Sequence, residues 1–103
     1  NVKCISENGV FVGGDVPGKV NHIYFDDIDI QLLKRTDYLG GVYDKRPCQG
    51  EGFVNDKVYG FYIDTASDIF INNPRLTWGD TRPVTASGEL LKQKASTNVV
   101  VTR

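Results

Sequence analysis

"DKVYGFYID", residues 56 to 64, is the stretch on which the fold turns. Extended-chain alternation puts Val58, Gly60 and Tyr62 on one side and Tyr59, Phe61 and Ile63 on the other. Both sides are apolar. A strand of that kind belongs in the middle of a sheet or at an interface, where neither face meets water.

Further segments with a period of two lie on either side of it. Upstream, "NHIYFDDIDIQLLKR" (residues 21–35) alternates Ile28, Ile30 and Leu32 with Asp29, Gln31 and Leu33. Downstream come "DIFINN", "RLTW" and the terminal "TNVVVTR". At the start, "VKCISENGVFVGG" sets two β-prone runs around Asn8-Gly9, a dipeptide that favours a two-residue hairpin turn. Turn formers separate these runs: Pro17-Gly18, Gly40-Gly41, residues 47–52, Asn73-Pro74, Gly79-Asp80 and Pro83. Short strands punctuated in this way predict a mainly β chain, specifically a small antiparallel β-sandwich or barrel. One short helix is expected near residues 88–95, where Ser87 is a fitting N-cap and Leu90 and Leu91 would face inward. The same segment also reads as a strand.

The 103 residues form a single domain, residues 1–103, with no internal repeat or linker visible. Hydrophobic residues make up 40% and charged residues 24%, the balance of a globular chain. No apolar run approaches the roughly 20 residues of a membrane helix. A formal charge of -1 gives no electrostatic attraction to nucleic acid or anionic lipid. The chain starts at Asn1 and lacks methionine, which points to a processed product or a piece of a longer precursor. Cys4 and Cys48 have no metal-ligand spacing and are expected to form a disulfide. With that bridge comes an extracellular or periplasmic location.

"GGDVPGKV", residues 13–20, contains the G-x-x-x-x-G-K skeleton of a phosphate loop. The position after Lys19 is Val20, with no hydroxyl for Mg²⁺, and the segment that follows is β-branched and alternating. No helix N-terminus is there to receive phosphate. The skeleton is a turn, and no nucleotide is expected.

His22 is the only histidine. It would serve as acid or base in a small secreted ribonuclease-like hydrolase, supported by a glutamate and an arginine that the sequence does not place beside it. Asp26, Asp27 and Asp29 lack a calcium-loop pattern and read as a solvated acidic face. No metal and no cofactor are expected.

"LLKRTDYLGGVYDKRP", residues 32–47, brackets Tyr38 and Tyr43 with two basic pairs, the composition of contact hot spots. The chain has five Tyr, five Phe and one Trp, more aromatic surface than one small sheet hides. The expectation is therefore a non-catalytic exported domain binding a protein or glycan through Tyr38, Tyr43, Arg46, Tyr59, Tyr62, Trp78 and an exposed sheet face. A structural subunit that assembles by its edge strands, giving a homo-oligomer, is the other non-enzymatic reading.

Overall fold

The computed structural model describes residues 2–33, 36, 41–46, 52–79 and 86–103. Nine of its eleven described strands follow each other in three turns of a coil. The first turn carries β1 (Val2–Ser6), β2 (Val10–Gly13) and β3 (Asn21–Asp26). The second carries β4 (Ile28–Leu32), β7 (Phe61–Asp64) and β8 (Ser67–Asn72), and the third β9 (Arg75–Trp78), β10 (Leu91–Lys94) and β11 (Thr97–Thr102). Strands in the same place on successive turns pair in parallel and in register. They make three sheets, β1–β4–β9, β2–β7–β10 and β3–β8–β11. The architecture is a parallel β-solenoid of three rungs. Its shortest dimension, 18 Å against 38 and 34 Å, suits three rungs about 4.8 Å apart plus side chains.

The β-rich expectation holds, and the antiparallel arrangement does not. Among the described residues it is confined to one hairpin, β5 (Val42–Asp44) with β6 (Phe53–Asn55), inserted between β4 and β7. Asn8-Gly9 does not close a hairpin either, because β1 and β2 belong to different sheets. It is a corner, with Val10 N–H donating to Gly60 O on the next turn at 2.8 Å. The segment expected as a helix near 88–95 contains strand β10, which borrows its partner from β7 in register. Tertiary pairing overrides a weak local helix preference there.

Left-handed residues make the corners. Thr65 and Ala95 share one position, His22, Asp68 and Asn98 a second, and Asp27 and Asn73 a third, all with φ between 51° and 55°. Each costs a non-glycine residue roughly 1–2 kcal/mol. Side-chain ladders offset that cost: Asn73 Nδ2 donates to Asp27 Oδ1 and Asn98 Nδ2 to Asp68 Oδ1, both at 2.7 Å. Asp27 is therefore what divides "YFDDIDI" into two strands.

Inside the coil, residues in register stack. Ile23, Ile69 and Val99 form one column, Phe25, Ile71 and Val101 another, Cys4, Ile30 and Leu76 a third. The middle rung is the driest, with Ile30, Phe61, Ile63, Ile69 and Ile71 essentially buried. As expected, β7 is central and buried on both faces. The P-loop-like skeleton is a corner loop between β2 and β3 in which Gly18 has φ +85°. Strand β3, not a helix, follows it.

Among the described residues no disulfide forms. Cys4 is a free, half-buried thiol stacked on Ile30, and Cys48 lies outside those residues. No helix among them is long and apolar enough to cross a membrane.

Candidate binding face

The residues expected at a binding surface fall into two environments. Tyr43, Tyr59 and Tyr62 are buried together in a second, smaller core with Phe11 and Val54. Phe11 and Tyr62 are in register on the outer side of the second sheet, and the β5–β6 hairpin folds over them. Tyr43 and Tyr62 rings lie 4.3 Å apart and Phe11 and Tyr43 5.1 Å apart. The Tyr43 hydroxyl donates to Lys57 O at 2.7 Å and that of Tyr59 to Asp56 Oδ1 at 3.2 Å. These three tyrosines hold the hairpin down. The aromatic excess of "VYGFYID" is absorbed by this insertion, which the sequence segment alone does not show.

Electrostatics seal the same site. Asp64, on the second sheet, is almost fully buried, and Lys45 from the hairpin reaches it at 3.4 Å. Burial first, and then the Asp56 carboxylate, push the Tyr62 phenol well above its ordinary range. Burial works against the charge on Asp56, yet the Lys57 N–H and the Tyr59 hydroxyl bring its carboxyl below the usual value.

The remaining candidates are more accessible. Arg46 lies on the hairpin surface, with its guanidinium 4.3 Å over the Phe53 ring and paired to Asp44 through two nitrogens at 2.8 and 2.9 Å. That pairing, mostly the side-chain hydrogen bond, holds the Asp44 carboxyl down at about 2. Trp78 is half-buried at the end of β9, against the main core. Tyr38 lies outside the described residues.

His22 occupies a left-handed position and is exposed. Its Nδ1 lies 2.6 Å from Asn21 Oδ1 and its Nε2 3.7 Å from Asp68 Oδ2. It is the first step of the His22–Asp68–Asn98 ladder. Asp26 accepts a 2.7 Å hydrogen bond from Asn72, and Asp29 faces Arg75 at 3.8 Å. Among the described residues no group of three or more His, Cys, Asp or Glu side chains is placed to hold a metal.

The feature the sequence reading passed over is the outer side of the third sheet. Tyr24, Phe70 and Val100 stack there as one column, Asp26, Asn72 and Thr102 as the next. Tyr24 and Phe70 are near-parallel, with ring centroids 5.0 Å apart and planes 14° from each other. Tyr24 remains 61% exposed, the most exposed large apolar side chain described. A period-two reading of "HIYFDD" does place Tyr24 opposite Ile23 and Phe25. Its stacking partner comes from a distant segment, "DIFIN", which nothing local identifies.

Comparison with protein-family models, with curated proteins and with solved structures gives no match to this chain.

Proposed function

We propose that the chain is a non-catalytic binding domain that acts outside the cytosol and engages a glycan on the outer side of the third sheet. The observation that carries this reading is the exposed, stacked Tyr24–Phe70 pair on the outer side of a parallel sheet. An aromatic platform offers an apolar face to the C–H side of a sugar ring, and the polar handle of Tyr suits it to a wet interface. The adjacent column of Asp26, Asn72 and Thr102 supplies carboxylate, amide and hydroxyl groups beside it. Solenoids present extended surfaces of this type because each rung repeats the same outward positions.

Affinity electrophoresis in gels containing soluble neutral and acidic polysaccharides tests it. Retardation by at least one polysaccharide, lost in Tyr24→Ala and retained in Arg46→Ala, supports the face. Retardation that survives Tyr24→Ala, or none with any polysaccharide, overturns it.

A further inference from the structure

Among the described residues the first and last rungs of the solenoid each keep a free edge. β1, β2 and β3 each have one strand neighbour, as do β9, β10 and β11. Each end thus presents three strand edges bordering a cross-section of the core. On the first rung Val2, in register with the buried Ile28, is 51% exposed, and Val10, Ile23 and Phe25 are only partly covered. On the last rung a cavity of about 350 Å³ is lined by Pro74, Leu76, Trp78, Leu90 and Arg103. Solenoids ordinarily close such ends with polar capping repeats, because unpaired edges over an apolar core associate.

We propose that the two ends are complementary docking surfaces and that the last rung of one copy stacks on the first rung of a second, head to tail. The occupant follows from register. Continuing the parallel ladder by one rung sets Val99, Val100 and Val101 over Ile23, Tyr24 and Phe25 of the second copy. Leu91 falls over Val10, and Leu76 over Cys4. The cavity beside Leu76 and Pro74 then lies where Cys4 and Val2 of the second copy arrive.

Charge agrees with this pairing. The first rung ends in Asp26 and Asp27, and the last in Thr102 and Arg103, so Arg103 stands over Asp27. Lys92 falls at the register position of Phe11, which brings a cation beside an aromatic residue. Arg75 over Lys3 is the one like-charged step. Because the two surfaces differ, the contact does not close on itself as a two-fold dimer would and propagates into rods. Stacking would also set Val100 against Tyr24 and carry the aromatic column from copy to copy.

Edge-specific prolines provide the test. Val2 N–H donates to Asp27 O and Ser6 O accepts from Leu33 N–H, so even-numbered residues of β1 bond to β4 and the Ile5 N–H faces the free edge. Ile5→Pro therefore blocks the first rung without removing a ladder bond. Thr102 O accepts from Asn73 N–H, which leaves the Val101 N–H on the opposite free edge for Val101→Pro. Sedimentation velocity of the whole chain over a dilution series should show wild-type mass rising with concentration. Each proline variant alone should stay monomeric with an unchanged β-type circular dichroism spectrum. An equimolar mixture of the two should form a dimer that grows no further, since each variant keeps a single open end and the dimer uses both. Arg103→Asp should weaken association by roughly two- to fivefold, the range of an exposed ion pair. A wild-type chain monomeric throughout, or a folded Ile5→Pro variant that still forms rods, would overturn the proposal.

Discussion

Lys45 Nζ lies 3.4 Å from Asp64 Oδ2, with the lysine side chain 16% exposed and the aspartate 3%. This contact joins the inserted hairpin to the second sheet. Removing one member of a buried pair leaves the other charged and unsolvated, a loss of about 3–5 kcal/mol. Lys45→Met should cost about that much in urea unfolding. Lys45→Met combined with Asp64→Leu should recover a large part of it. A single variant as stable as wild type would mean that the hairpin is not docked there.

Tyr62 makes the opposite prediction at neutral pH. Its hydroxyl is buried beside the Asp56 carboxylate but too poorly placed for a well-formed hydrogen bond to it, so Tyr62→Phe should be neutral or mildly stabilising. The folded phenol titrates above its unfolded value near 10. The folded state therefore holds its proton longer, and this contribution is intact below pH 10 and lost as pH rises above it. Thermal melts from pH 8 to 12 should show wild type falling above pH 10 and Tyr62→Phe falling less steeply.

The acid side has the reverse sign. Asp44 and Asp56 titrate below ordinary aspartates in the folded state, so their contribution is present above pH 4. It is lost as pH drops, for Asp44 through about 2. Asp44→Asn should flatten the decline in melting temperature between pH 4 and 2, in keeping with a surface pair of small worth at neutral pH.

The corners set a steric limit. A Cβ on Gly9 would run into the carbonyl oxygens of Tyr59 and Gly60, both backbone, so neither atom can swing aside. Gly9→Ala should destabilise the chain by more than about 2 kcal/mol in urea titration. At Asn73, where φ is 51°, Gly should be tolerated better than Ala, because Ala loses the Asp27 hydrogen bond and keeps the steric cost.

Strand content, the two-sided burial of β7 and the turn reading of the phosphate-loop skeleton were legible in the residues, because each depends on local alternation or local turn chemistry. Parallel coiling was not. Its signal is a repeat, and here insertions of different length break the period, residues 15–19 in the first turn and the β5–β6 hairpin in the second. Two ungapped matches remain visible once the coil is known. "NHIYFDDIDIQL" runs residue for residue against "SDIFINNPRLTW", and "YIDTASDIFIN" against "KQKASTNVVVT". The second pairs Thr65 with Ala95 and Asp68 with Asn98, the left-handed positions. Tyr43, Tyr59 and Tyr62 were singled out as contacts because the docking of the hairpin that carries Tyr43 onto the outer side of the second sheet leaves no mark on a strand's own pattern. Tyr24 was passed over for the same reason, since its partner Phe70 comes from the next turn.

The account centres on the outer side of the third sheet as the surface that meets a glycan. The most direct measurement is a nuclear magnetic resonance titration of ¹⁵N-labelled protein with the polysaccharide that retards it most. The account predicts shifts concentrated at Tyr24, Asp26, Phe70, Asn72, Val100 and Thr102, with residues 42–46 and 52–55 of the hairpin unmoved. Shifts centred on the hairpin, or an unchanged spectrum at saturating polysaccharide, would contradict it.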